Sequence, residues 1–370
     1  MKIGFFTDSY FPEIDGVTYT IQLWREKLEE MGHEVFVVYP DGDYEPDDRE
    51  IPVRSLPNPF YAGYRIPLFR RPSTLPDFDI VHCHGPAPVG MLGRYYARKH
   101  EIPTIYTHHT PLEEYFHQNV RFESVAEALS KCYVPLENSF LESFEIVTAS
   151  TARIERDVNH VQLPVGIDME FFQPTDEQWY ADIDTPVIGY SGRLSMEKNV
   201  DDILRVATEL PEYEFVIVGE GPYRDSLEAN APENVELREF LPRDELPIFY
   251  SSIDAFVTAS TADTLGLSTL EANACDTPVI AADVPPFDQT IGPDNGERFE
   301  YGDTTGMAET IENCLETDRD TRSAVERYDV RRTLEHLDHL YRSMRTSADE
   351  TPTPADERWG FSEDSPGSLD

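Results

Sequence analysis

The first forty residues, MKIGFFTDSYFPEIDGVTYTIQLWREKLEEMGHEVFVVYP (1–40), decide the fold. Lys2 to Thr7 is a short apolar run, the pattern of a strand buried on both faces. A loop runs from Asp8 to Asp15, with Pro12 inside it. Gly16 then opens a segment whose apolar residues Val17, Ile21, Trp24, Leu28 and Met31 fall on one face at helical period. Gly32 ends that helix, and Val35 to Tyr39 reads as the next strand. Strand, helix, strand in this order predicts a parallel pair joined by a crossover helix.

The rhythm continues through strands expected at Asp79–His82, Pro103–Thr107 and Glu145–Ala149. Leu163 to Thr185, rich in Pro, Gly and Asp, breaks it. Alternation restarts with Val187–Tyr190, Glu214–Gly219, Asn234–Arg238, Asp254–Ala259 and Thr277–Ala281. A charged helical stretch follows from about Thr305 to Met344. The expected fold class is α/β: two doubly wound, Rossmann-like domains facing a cleft where ligands sit at the carboxyl ends of the strands. The expected units are an N-terminal domain over 1–165, a linker over 166–184 and a C-terminal domain over 185–345. The acidic segment 346–370 is expected to be a disordered tail.

Composition narrows the function classes. The 370 residues carry 71 acids against 30 bases, a net charge of −41. Lysine occurs only at Lys2, Lys27, Lys99, Lys131 and Lys198. The acids are spread over the whole chain rather than gathered into one tract for a basic partner. Molar salt shortens the Debye length to about 3 Å and screens their repulsion, so the composition is that expected of a halophile's cytosolic protein. Nucleic-acid binding through a basic face is disfavoured. No run of 18 apolar residues is present, and the N-terminus lacks the long apolar core of a signal peptide. Cys83, Cys132, Cys275 and Cys314 have neither zinc spacing nor a disulfide framework.

Four places carry candidate chemistry. Asp15-Gly16-Val17 follows the first strand at a helix start, where a glycine admits a ligand to the backbone and the helix N-terminus favours anions. An ordinary tight turn would explain it equally. Arg193 and Lys198 flank the short loop after the first strand of the second domain, in a chain nearly without lysine. Fixed cations there would neutralise a diphosphate leaving group; a solvated loop pair is the plain alternative. Asp263 and Glu271 lie eight positions apart around a glycine turn formed by Leu265, Gly266 and Leu267. Carboxylates accept hydrogen bonds from sugar and ribose hydroxyls, but in so acidic a chain that spacing alone assigns nothing. His82, His84, His108 and His109 end two strands of the first domain. A polar role in the cleft is expected there rather than a metal site, with strand-end packing for His82 and a structural role for His33.

Taken together, these residues resemble the retaining glycosyltransferases of family 4, which have the GT-B fold. The resemblance covers about residues 1–345. TDSYFPEIDGV is similar to the family's N-terminal glycine loop and YTHHTPLEEY to the block with its active-site histidine. LPVGIDMEFFQP is similar to its interdomain segment, GRLSMEK to its donor-diphosphate motif, and TADTLGLSTLEANACDTPVIA to its E-x7-E region. IVGEGP and LPRDELPIFYSSIDAFVTAS match its downstream blocks.

The resemblance implies Gly16 at the donor phosphate and His109 beside the transferred sugar. Arg193 and Lys198 would hold the diphosphate. Asp263 would lie near the sugar hydroxyls and Glu271 at the ribose, with backbone contacts from Leu265, Gly266 and Leu267. Two positions depart from the family pattern. Asp263 replaces a glutamate, and Asp276 replaces a glycine. The implied substrate is a nucleotide sugar, a UDP- or GDP-hexose, used without a metal or other cofactor.

Among branches, YTHHTPLEEYF and YRIPLFRRP look most like enzymes that glucosylate diacylglycerol-type lipids. Polyprenyl-linked glycan and exopolysaccharide are the rival acceptors. The acid-free, aromatic and arginine-bearing segment 60–71 is expected to touch the cytoplasmic membrane face peripherally. A non-catalytic sugar-nucleotide-binding protein is a rival of another class. A nicotinamide dehydrogenase is a third, resting only on Gly219-Glu220-Gly221, which Pro222 follows in place of a full fingerprint.

Overall fold

The computed structural model describes residues 1–13, 15–58, 65–68, 75–109, 123–151, 154 and 156–346. The block from residue 110, most of segment 60–71 and the tail beyond 346 lie outside the described residues.

Two all-parallel sheets carry the chain. The first contains β1 (Lys2–Phe6), β2 (Glu34–Pro40), β3 (Glu50–Val53), β6 (Ile80–Cys83), β7 (Thr104–His108), β8 (Ile146–Ala149) and β9 (Val161–Gln162), in the order β3-β2-β1-β6-β7-β8-β9. Between β3 and β6 along the chain, β4 (Ser55–Pro57) and β5 (Arg65–Pro67) form a small antiparallel ribbon. In β1, Phe5 enters the cluster with Ile21, Trp24 and Leu28, while Phe6 enters the opposite cluster with Val38, Val81 and Leu92. Alternate residues thus serve two cores, which is why the run carries no polar face. The helix Gly16–Glu30 lies on one side; Asp15 caps it, accepting a hydrogen bond from the Thr18 amide at 2.7 Å, a contact type worth about 1 kcal/mol.

The second sheet contains β10 (Val187–Ser191), β11 (Glu214–Val218), β12 (Val235–Arg238), β13 (Ala255–Thr258), β14 (Val279–Ala282) and β15 (Gly296–Phe299), in the order β12-β11-β10-β13-β14-β15. Strand order reverses direction beside β1 and β6 in the first sheet and beside β10 and β13 in the second. These are the topological switch points where an open parallel sheet leaves a crevice.

The helix Val330–Thr346, counted by sequence with the C-terminal unit, lies on the first sheet. Its buried face, Leu334, Leu337 and Tyr341, joins Trp24, Leu28 and Ile80 in one cluster. Thr333 donates to the Pro164 carbonyl at 2.8 Å, and the Trp24 indole donates to the Val165 carbonyl at 2.7 Å. Arg322 donates to the carbonyls of Phe172, Met169 and Ala274. The segment between the sheets is therefore clamped to both rather than free.

Candidate active site in the interdomain cleft

The wall from the first sheet is built at the ends of β1, β6 and β7. Gly16 opens the helix after the β1 loop; His84 follows β6 and His109 follows β7. His109 is 8 % exposed, and its Nε2 lies 3.0 Å from His84 Nδ1. Burial pushes His109 down to about 4 against the opposing pull of Asp15, so its imidazole is neutral near pH 7. His82 is fully buried with both nitrogens engaged, Nδ1 by the Tyr341 hydroxyl and Nε2 by the Thr107 hydroxyl, each at 2.7 Å. His108 is also buried, and desolvation pushes it down to about 3. His33 packs under the terminal helix, 3.2 Å from Asp338.

The opposite wall is the loop after β10. The Leu194 amide donates to the Glu220 carbonyl at 2.9 Å and the Gly192 amide to the Val218 carbonyl at 3.1 Å. A Cβ on Gly219 would lie 1.9 Å from Gly192 O, and one on Gly221 2.2 Å from Leu194 O. Those glycines let two loops touch backbone to backbone. That explains the Gly-Glu-Gly run and removes its support for a dinucleotide turn. The loop ends in a single 3₁₀ turn, Met196–Lys198.

From that turn Lys198 Nζ reaches both carboxylate oxygens of Asp263 at 2.9 Å. Burial pushes the Asp263 carboxyl up, but the Lys198 charge and the Ser260 hydroxyl outweigh it and hold the group below its ordinary value. Arg193 is exposed and lies close enough to Glu13, on the first wall, to oppose the upward push of burial and Asp15 on that carboxyl.

Past Asp263 the chain turns at Gly266, φ +75°, into the helix Leu267–Ala274. A Cβ on Gly16 would lie 3.6 Å from Leu267 Cδ1, so the two walls meet here. Glu271 accepts a hydrogen bond from the Tyr250 hydroxyl at 3.1 Å. Burial raises its carboxyl above the usual range, with Arg243 and Tyr250 opposing. Leu265 is buried. Asp276, the second departure, sits at φ +66°, the left-handed conformation that suits glycine.

The sequence reading missed Arg243. Its guanidinium lies 5.1 Å from the ring centres of Tyr19 and Phe171, bridging the domains beside Glu271. Tyr19, Arg243, Leu267 and Glu271 line a cavity of about 60 Å³ between the walls. With 25 arginines among 30 basic residues, one more in a charged turn carried no sequence signal. Among the described residues, no group of three or more His, Cys, Asp or Glu side chains is arranged to hold a metal ion.

Two parallel, doubly wound sheets whose switch-point loops meet across a cleft have the architecture of the GT-B fold. Residues 14–166 match Glycosyltransferase Family 4, and residues 173–330 match Glycosyl transferases group 1. The chain thus carries a family 4 glycosyltransferase domain followed by a group 1 glycosyl transferase domain. It is 28 % identical over 329 residues to an alpha-monoglucosyldiacylglycerol synthase of Acholeplasma laidlawii, covering 79 % of this chain and 82 % of that one. A protein of the same name from Streptococcus pneumoniae is 29 % identical over 356 residues, covering 86 % and 79 %. In fold the chain is similar to Anabaena HepE, solved in complex with UDP-glucose, with a TM-score of 0.68 and 18 % identity over 93 % of this chain and 100 % of that one.

Proposed function

We propose that this glycosyltransferase moves a hexose, with retention of anomeric configuration, from a nucleotide sugar to a diacylglycerol-type lipid at the cytoplasmic membrane face. The observation that carries the reading is the Lys198–Asp263 pair, with both N–O distances at 2.9 Å, on the loop wall facing Gly16 and His109. Lys198 and Arg193 bind the donor diphosphate and neutralise the charge that develops on it as it departs. Asp263, kept ionised by Lys198, accepts hydrogen bonds from sugar hydroxyls as the ring becomes oxocarbenium-like. His109 contacts the same sugar from the opposite wall. Gly16 and the backbone at Leu265, Gly266 and Leu267 leave room for the phosphates, and Glu271 holds the ribose. No metal is given a role.

The acceptor class is supported by the two glucosyldiacylglycerol synthases, each matched over more than three quarters of its length. Among the described residues no helix is long and apolar enough to cross a membrane. The β4–β5 ribbon supplies a peripheral contact instead: Leu56 is 55 % exposed, and Ile66 and Leu68 also face outward. Arg65 turns inward to Ser55 at 2.7 Å and is also 3.5 Å from Asp41. It therefore neutralises a neighbouring acid rather than meeting lipid phosphate, so among the described residues of this segment the apolar side chains carry the contact.

The test is a screen of UDP- and GDP-hexoses against host lipids in molar KCl, with products read by mass spectrometry. A hexosylated glycerolipid is expected. Transfer only to a polyprenyl-linked glycan or a polysaccharide would replace the acceptor assignment, and nucleotide-sugar binding without turnover would replace the enzyme assignment. Ile66→Asp should reduce co-sedimentation with host-lipid vesicles while leaving donor hydrolysis intact. Equal co-sedimentation would move the contact elsewhere.

A further inference from the structure

Behind His109 stands a column of aromatic rings. His84 lies 5.3 Å from His109, centre to centre, with a 22° interplanar angle, and His82 lies 4.1 Å from His84 at 28°. Phe5 and Trp24 pack against the column from the β1 side. His84 is 4 % exposed. Burial holds both His84 and His109 below the ordinary histidine range, so two neutral rings share one proton across a 3.0 Å contact.

Which ring donates follows from the far nitrogens. His84 Nε2 is buried and has no hydrogen-bond partner. If His109 donated from Nε2, His84 would have to carry its own proton on Nε2, a buried N–H with no acceptor. Such orphaned donors are rarer than unfilled lone pairs. If His84 donates from Nδ1, its Nε2 is a bare acceptor and His109 carries its proton on Nδ1. His109 Nδ1 is not among the buried polar atoms without a partner, and the residue keeps 8 % of its surface exposed. With Nε2 taken up by His84, that nitrogen is the one left to meet a ligand if His109 lies beside the sugar.

We infer that His84 is a positioning residue: it donates from Nδ1 to His109 Nε2 and so locks His109 into the tautomer that presents an Nδ1–H donor to the cleft. Resting on the reading that His109 lies beside the transferred sugar, this gives His109 a defined task. It donates a hydrogen bond to a sugar hydroxyl oxygen and cannot accept one there. The hexose is thereby oriented by a fixed donor, and the ring cannot act as a base through that nitrogen. His82 holds the rear of the column, itself pinned by Tyr341 of the terminal helix and by Thr107.

The test reads the ring nitrogens directly. With ¹⁵N-histidine protein in molar KCl, two-bond proton–nitrogen correlations assign the tautomer, and His109→Ala identifies the His109 signals by their loss. The parent should show His109 protonated on Nδ1; protonation on Nε2 would overturn the inference without any further variant. In His84→Leu the His109 tautomer should become mixed and kcat should fall about 10- to 100-fold, with donor KM nearly unchanged. His84→Asn, whose amide can donate from nearly the same place, should restore most of both. An unaltered tautomer in His84→Leu would overturn the role of His84. Full transfer by His109→Ala would overturn the placement of His109 beside the sugar, while leaving the tautomer result standing.

Discussion

Lys198 Nζ is 2.9 Å from each carboxylate oxygen of Asp263, although the two residues are 65 positions apart and lie on loops after different strands. The pair closes because β10 and β13 are neighbours in the sheet, so their following loops share one crevice. Lys198 is also the last lysine in the chain. A compact ammonium can be shared between a carboxylate and an arriving phosphate, because its three donors rotate freely. Asp263, one carbon shorter than the glutamate that the family resemblance implies there, reaches it.

Removing that ammonium should slow transfer far more than it weakens folding. Lys198→Ala is expected to lower kcat at saturating donor by about 10²–10³, the scale for losing one contact to charge that develops in the transition state. Its circular dichroism spectrum should match the parent's. Full turnover at saturating donor would show that Lys198 is not at the leaving group.

Glu271→Ala should act on binding instead. A ribose contact exists equally in ground and transition states, so its loss raises KM and spares kcat. Loss of a charged hydrogen bond predicts a donor KM about 10- to 100-fold higher. Steady-state kinetics with varied donor separates the two parameters. An unchanged donor affinity would place Glu271 elsewhere.

Much of the fold can be read from the sequence, because β1, β10 and their neighbours are apolar on both faces and the Gly16–Glu30 helix carries a clean stripe. The edge strands β3, β9 and β15 cannot: β3 and β15 are short and mix charged with apolar residues, and β9 is only Val161–Gln162. Lys198, Asp263 and Glu271 could be named because each sits in a recognisable block, yet their pairing depends on strand order. Arg243 and His84 depend wholly on long-range geometry. The contact between His82 and Tyr341 spans 259 residues, and no local pattern announces that a helix from the chain's end returns to the first sheet.

Acid should destabilise the protein starting near neutral pH. His82, His84, His108 and His109 are all held below the ordinary histidine value by burial. Below about pH 6.5 the unfolded chain binds protons that the folded chain refuses, so stability falls as pH drops. Asp8, raised to about 6 by burial, works the other way, gaining stability between pH 6 and 4, as do the raised carboxyls of Glu13 and Glu271; His33, also held low by burial, adds to the four more deeply buried histidines. Thermal melts in molar KCl, where surface acids are screened, should therefore show a lower Tm at pH 5 than at pH 7. An equal or higher Tm at pH 5 would mean that these histidines are not kept neutral in the fold.

Salt should matter as much as pH. With a net charge of −41, dilution to about 0.1 M lengthens screening to about 10 Å and lets the acids repel. Tm and activity should both fall on dilution from molar KCl. A melt indifferent to KCl would remove the halophilic reading of the composition.

The most direct measurement for the whole account is the anomeric configuration of the glycolipid formed from an α-linked sugar nucleotide, read by NMR on the purified product. The account predicts an α-linked hexosyl glycerolipid, the configuration of the donor. A β-linked product, or no glycolipid with any UDP- or GDP-hexose in molar KCl, would contradict it.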